Sequence, residues 1–219
     1  MFVFFRRLAD NRQGASYANR LRLQRFSLFR RMVDDLPRPL RILDVGGTEA
    51  FWEQMGFAGQ PDVEITLLNL ERQAAGHPGF LSVAGDARDL GRFPDQSFDV
   101  AFSNSVMEHV GGWADQQRMA GEMRRVGKRI FLQTPNRHFP MEPHFLFPFF
   151  QFLPLPWQVF LLRRFRLGWY PRYTDRVQAE AAARSVRLLS RRELQRLFPG
   201  ARLHRERWMG MVKSYVVVG

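Results

Sequence analysis

The amino-acid sequence predicts an α/β domain built on a mostly parallel sheet with helices on both faces. Three observations carry that expectation. Strand-like and helix-like stretches alternate between residues 17 and 138 at the spacing of βαβ units. The first strand candidate, LRILDV, is rich in the branched residues that a parallel strand buried on both faces favours. With 45% hydrophobic and 25% charged side chains over 219 residues, the chain has material for one sizeable core and little room for a second independent domain.

Each element follows in order. Residues 17–35, YANRLRLQRFSLFRRMVDD, place Leu21, Gln24, Leu28 and Met32 along one side at intervals of three and four, which predicts an amphipathic helix. Pro37 and Pro39 end it, and LRILDV follows as the first strand. AFWEQMGF reads as a helix, VEITLLNLE as the second strand and FLSVAGD as the third. A turn through GRFPDQS leads to FDVAFSNS, the fourth strand. ADQQRMAGEMRRV is then a helix and KRIFLQTPN the fifth strand. Near the end, SRRELQRLF has a serine cap and helical spacing, and ARLHRERW and KSYVVVG form two strands joined by MGM.

The net charge of +12 is unevenly spread: +6 over residues 1–40, −4 over 41–150 and +10 over 151–219. Basic flanks of this kind suit phosphate groups, anionic lipid or nucleic acid. Equally, only Lys128 and Lys213 among the 33 basic residues are lysine, an arginine bias that codon usage alone can produce. The absence of cysteine excludes disulfides, thiolate metal sites and cysteine nucleophiles. The opening MFVFFRRLAD has its apolar residues before its arginines, the wrong order for a secretory signal, so a cytoplasmic protein is expected. The longest uncharged run, Phe145 to Leu162, approaches the length of a membrane span, about 17 residues, but Pro148, Pro154 and Pro156 interrupt it.

RILDVGGTEAFW joins the first strand to the first following helix through Gly46 and Gly47. In open α/β sheets, ligands bind beyond the carboxyl ends of the strands, where a glycine loop lets a cofactor approach backbone N–H groups. A glycine turn without a ligand would look the same in isolation. Polar groups follow at the next three strand ends, however: Asn69 and Glu71, then Asp86 beside Ala87, then Ser103 and Asn104. Four successive strand ends carrying such groups are a stronger signal than any one of them.

ILDVGGTEAFW, ITLLNLE, VAGDARDL, FPDQSFDVAFSNSVMEHV and IFLQTPNRHFP together resemble the class I S-adenosylmethionine-dependent methyltransferases, especially the small-molecule enzymes called type 11. The resemblance covers residues 40 to 138 well and the terminal hairpin loosely. It implies a Rossmann-like sheet of seven strands, the last antiparallel and inserted beside the fifth, and S-adenosyl-L-methionine as cofactor. Asp44, Gly46 and Gly47, with Thr48, would hold its methionine end, and Asn69 or Glu71 would meet the ribose. Asp86 and Ala87 would read the adenine, and Ser103 and Asn104 would line the site near the sulfonium. The family pattern Asp-x-Gly-x-Gly-x-Gly is broken by Thr48 and Ala50, and Asn69 stands where the family usually has an acidic residue. On this reading the single domain, residues 1–219, comprises an N-terminal helical extension at 1–39, a cofactor-binding core at 40–137, an aromatic substrate or lid insert at 138–175 and a C-terminal helix and hairpin at 176–219.

A hydroxyl acceptor needs help losing its proton, so His109 in SVMEHV and His144 are candidate catalytic bases, with His138 nearby. His109 would serve equally to pack a helix start with Glu108. No metal is expected. Cytosine C5 methylation needs a cysteine, and the loop SNSVM lacks the Asn/Asp-Pro-Pro-aromatic pattern of amino methylation on DNA bases, so nucleic acid rests on charge alone. The insert HFPMEPHFLFPFFQFLPLPWQVFLLRRFRLGWY reads as a lid or pocket for a small or lipid-linked acceptor, or as a surface for peripheral contact with an anionic membrane, unless its aromatics pack the domain's own core. O-methylation of such an acceptor is the expected reaction. Two alternatives remain: a nicotinamide oxidoreductase, which would want the later glycines that GGTEAF lacks, and a degenerate, non-catalytic cofactor fold binding membrane or nucleic acid through its basic flanks.

Overall fold

The computed structural model describes residues 17–219. The expectations for MFVFFRRLAD and for the Leu21 side chain fall outside the described residues. The elements are α1 (Tyr17–Val33), β1 (Leu40–Val45), α2 (Glu49–Gln54), β2 (Val63–Asn69), β3 (Phe80–Ala84), β4 (Phe98–Asn104), α3 (Trp113–Val126) and β5 (Gly127–Pro135). A two-strand hairpin, β6 (Met141–Glu142) and β7 (Phe147–Pro148), then precedes α4 (Leu155–Arg164), α5 (Arg176–Arg184), α6 (Arg191–Leu197), β8 (Arg202–Trp208) and β9 (Met211–Val218).

The main sheet has seven strands in the order β3-β2-β1-β4-β5-β9-β8. Strands β1 to β5 are mutually parallel, and β9 runs antiparallel between β5 and β8. The order reverses between β1 and β4, so their carboxyl ends flank the crevice where ligands bind in such sheets.

Side-chain alternation along the strands divides the core in two. Ile42, Val100, Phe102, Phe131 and Val216 face α1 and α2, packing with Phe26, Phe29 and Trp52. Leu43, Ala101, Leu132 and Val217 face α3 and α6. Both faces are covered, which is why the strands read as continuous apolar runs. The buried side of α1 is centred on Phe26, Phe29 and Val33, whereas Gln24 is exposed and Leu28 and Met32 are half-buried. The predicted face is therefore rotated, because the larger phenylalanine rings take the interior: Phe29 lies edge-on to Phe102 and Phe131, both 5.3 Å away between ring centres. The serine cap holds, with Ser190 Oγ accepting from the Glu193 amide while Glu193 Oε2 accepts from the Ser190 amide at 2.8 Å.

The aromatic insert splits its residues. Phe145, Phe150 and Leu162 join Ala179 and Ala183 of α5 in a third buried cluster, while Phe149, Phe152, Trp157, Phe160 and Phe165 remain exposed. Pro154 and Pro156 stand at the start of α4, where a missing amide hydrogen costs least. Among the described residues, no helix is long and apolar enough to cross a membrane.

Candidate active site

Asp44 is the penultimate residue of β1, and its carboxylate turns back under the glycine loop rather than out to solvent. It is 1% exposed. Oδ2 accepts a hydrogen bond from Trp52 Nε1 at 2.7 Å, while Oδ1 is buried with no partner. Burial raises the Asp44 carboxyl to about 7, against the smaller opposing effect of the Trp52 bond.

The glycines above it are required by contact. A β-carbon on Gly47 would stand 1.6 Å from Asp44 Oδ2. Gly46 has φ +80°, and a β-carbon there would meet Val106 at 2.5 Å. The loop is tied down from β2, where the Gly46 amide donates to Leu68 O at 2.8 Å and Asn69 Nδ2 donates to Gly47 O at 3.0 Å.

These residues line a groove of about 210 Å³ with Thr48, Phe51, Gln54, Phe102, Asn104 and Arg22. Arg22 and Arg25 come from α1, and Arg22 lines the groove. Arg22 donates to Gln54 at 3.1 Å. Arg25 pairs with Glu206 at 2.8 Å and also donates to Asn104 and Gln133. Five predicted residues thus meet in one place: Asp44, Gly46, Gly47, Thr48 and Asn104. Asn69 joins them through the loop.

The other predicted groups sit at the same sheet edge with different partners. Ser103 is fully buried, and its hydroxyl donates to Val45 O at 3.1 Å, tying β4 to β1. Asp86 is half-buried and held by Arg88, whose hydrogen bonds lower its carboxyl pKa. Ala87 packs against the core, and Glu71 is exposed.

Beyond β4 the chain makes one tight turn, residues 107–109, and this turn brings the predicted histidines together. The rings of His109 and His144 lie 4.7 Å apart, edge to face. His144 Nδ1 meets Glu142 Oε1 at 2.8 Å, and its Nε2 is 3.9 Å from Glu108 Oε1. Burial opposes charge on His144, but the Glu142 hydrogen bond and the two carboxylates outweigh it and raise its pKa. His138 lies apart from this pair, against Phe152.

Glu108 is fully buried; Oε2 accepts from Thr134 Oγ1 at 2.9 Å, and Oε1 has no partner. Sequence reasoning missed Glu108 and Glu142 as members of the site, although Glu108 adjoins His109. It also missed Arg22, Arg25 and Trp52, for which no local signal exists on an arginine-rich, aromatic-rich background.

Comparison with known proteins agrees with the geometry. Residues 46–129 match the model of a methyltransferase domain, the type 11 group. Over 56 residues, 26% of the chain, it is 39% identical to an uncharacterised protein of Mycobacterium tuberculosis, of whose length the match spans 19%. A SAM-dependent methyltransferase from Aquifex aeolicus superposes over 100% of this chain and 97% of its own, with TM-score 0.54 at 12% identity. The N-terminal domain of EvdMO1, crystallised in the presence of SAH and D-fucose, matches over 90% of this chain and 81% of its own, with TM-score 0.52 at 19% identity.

Proposed function

We propose that this chain, which has the class I methyltransferase fold and carries a methyltransferase domain over residues 46–129, transfers a methyl group from S-adenosylmethionine to an oxygen of a small or lipid-linked acceptor. The observation that carries the cofactor reading is the unpartnered Asp44 Oδ1, buried against a groove roofed by Gly46 and Gly47. A buried carboxylate oxygen without a donor is costly, and the ammonium of the cofactor's methionine end is the donor that would satisfy it. Arg22, lining the same groove, carries the charge to meet the methionine carboxylate. Asn69 would offer its side-chain oxygen to the ribose, since its amide hydrogens already serve Gly47. Asp86 would need to share with the adenine the oxygens now held by Arg88.

S-adenosylmethionine brings a methyl group already activated by positive sulfur, so the protein's work is alignment, water exclusion and management of the acceptor's proton. Glu108, His109 and His144 would do the last of these. Glu108 and His109 follow β4 along the chain, His144 comes from the loop between β6 and β7, and one ligand atom of each lies within 4.8 Å of the others. An acceptor hydroxyl there would be directed to lose its proton, which favours oxygen as the methylated atom.

The insert supports a hydrophobic acceptor and contact with an anionic membrane. A groove of about 610 Å³ is lined by Leu155, Val159 and Phe160 together with Arg163, Arg172 and Arg176. With exposed Trp157 and Phe165, it pairs apolar surface with cations, as an anionic lipid surface requires.

Calorimetric titration with S-adenosylhomocysteine tests the cofactor, with micromolar binding expected, about −8 kcal/mol. Transfer of labelled methyl to phenolic and lipid-linked acceptors tests the reaction. Cosedimentation with anionic and zwitterionic vesicles tests the surface. No heat and no thermal shift with the cofactor product would defeat the reading.

A further inference from the structure

We propose that Glu108, His109 and His144 form a divalent metal site, taking a first-row transition ion such as Mn²⁺ or Zn²⁺ that prepares the acceptor oxygen. The inference rests on the preceding reading for its role in catalysis, but not for the site itself. One ligand atom from each of the three residues lies within 4.8 Å of the others. From the sequence no metal is expected; the site is assembled by the fold, from the turn after β4 and the loop between β6 and β7.

Two of the three ligands are already held by a second group that aims them. Glu108 Oε2 is fixed by Thr134, leaving Oε1 buried and unpaired toward the cluster. His144 Nδ1 is held by Glu142, whose other oxygen accepts the backbone amides of His144 and Phe145 at 2.7 and 2.6 Å. The His109 ring lies near the backbone of Ser185 and edge-to-face against the His144 ring. Metal-binding imidazoles are held as His144 is, one nitrogen on a carboxylate or carbonyl so that the other is oriented to ligate.

The gap of 3.9 Å between His144 Nε2 and Glu108 Oε1 is too long for a hydrogen bond. It is close to the separation of two ligands on one ion, roughly 3.4 Å at ordinary bond lengths. Two imidazoles and one carboxylate suit transition ions over calcium. Glu108 is buried, whereas His109 is exposed, so three protein ligands would leave positions open on the solvent side, as catalytic sites do.

The ion would lower the pKa of an acceptor hydroxyl bound at such a position. The O–H bond breaks and the proton leaves to solvent past His109. The oxygen forms a bond to the methyl carbon, and the carbon–sulfur bond breaks with its electron pair remaining on sulfur. The products are the methyl ether and S-adenosylhomocysteine. A second trio, Glu49, Glu53 and His77, lies on the surface. Its members are satisfied, with Glu49 accepting from the Gly76 and His77 amides and His77 Nε2 bonded to Glu53 at 2.7 Å, so it serves as the control.

The test is titration of chelator-treated full-length protein with Mn²⁺, read by loss of the free-ion magnetic resonance signal, and with Zn²⁺ by calorimetry. One ion per chain is expected. Glu108→Gln and His144→Asn should each weaken uptake at least about 100-fold, Glu142→Gln about 10- to 100-fold, and His77→Asn not at all. Circular dichroism checks folding, and the partly exposed His144 keeps the test decisive should Glu108→Gln unfold. S-adenosylhomocysteine binding is measured in parallel with chelator present and should persist. Absence of ion binding, wild-type uptake by the Glu108, His144 and Glu142 variants, or uptake lost only in His77→Asn would each overturn the metal site. Ion uptake with no S-adenosylhomocysteine binding would uphold the site and defeat the methyltransferase reading.

Discussion

Asp44 and Glu108 are two buried carboxylates at one edge of the same sheet, and they differ in what surrounds them. Each has one oxygen held by a protein donor, Trp52 or Thr134, and one oxygen without a partner. Burial raises the pKa of both. Asp44, however, faces backbone, phenylalanine rings and a groove with no imidazole, whereas Glu108 faces His144 and His109. On the proposed readings, an unsatisfied buried oxygen marks a ligand position in both places, and its neighbours select the class of ligand. Beside Asp44 an organic ammonium fits; beside Glu108 an ion that imidazoles also bind.

The largest expected effect separates the two directly. In Gly47→Ala the new methyl group would stand 1.6 Å from Asp44 Oδ2, so the carboxylate must leave its bond to Trp52 or the loop must lift. Overpacking of this kind costs about 1–3 kcal/mol in stability. S-adenosylhomocysteine binding should fall beyond detection by calorimetry, while Mn²⁺ uptake at Glu108 stays within a factor of about two of wild type. Loss of both together would show that the two carboxylates belong to one coupled site.

How much of this was legible in the sequence depends on range. The order of β1 to β5, the glycine loop and the closing hairpin are written in short runs whose period or turn residues act locally, and those expectations match the structure. The rotated face of α1 was not legible, because the choice between Leu28 and Phe29 is made by the partners on β4 and β5. Neither was the contact of α1 with the terminal hairpin: Arg25 reaches Glu206 across 181 residues of chain, and nothing near either residue signals the other. His109 and His144 were each visible as candidates, but their meeting depends on the β6–β7 hairpin folding back on the turn after β4. The insert's helix α4 was obscured by aromatic and proline density, which reads alike as lid, core or membrane face.

The second effect is a pH dependence. The Asp44 carboxyl is raised from its ordinary 3.8 to about 7 by burial, so the folded state holds a proton that the unfolded state has released. Its contribution to stability is therefore fully present below about pH 4 and declines as pH rises to about 7, by at most about 4 kcal/mol. Binding of a cationic group runs the opposite way, since it requires the ionised carboxylate. S-adenosylhomocysteine affinity should rise nearly tenfold per pH unit up to about 7 and then level. Asp44→Asn should remove both slopes, so that the melting temperature of the variant relative to wild type rises between pH 5 and pH 8 as wild type loses the stability of its protonated carboxyl. Persistence of the slopes in the variant would assign them to other groups and break the contrast between the carboxylates.

The smallest effect concerns the pin on the glycine loop. Asn69, proposed to meet the ribose, uses its amide to donate to Gly47 O at 3.0 Å, so one side chain would both shape the cradle and face the ligand. Asn69→Ala removes a single half-buried hydrogen bond, worth about 1 kcal/mol. The expected outcome is a few-fold loss of S-adenosylhomocysteine affinity, with Mn²⁺ uptake unchanged. Asn69→Asp distinguishes the two duties: it supplies an acceptor for ribose hydroxyls but sets a carboxylate oxygen against the Gly47 carbonyl. Weaker binding in Asp than in Ala would mean that loop geometry dominates, and stronger binding in Asp would mean that hydroxyl recognition does. Either result leaves Glu108 untouched, because the pin acts on the loop above Asp44 while Thr134 and Glu142 hold the other site from β5 and the insert.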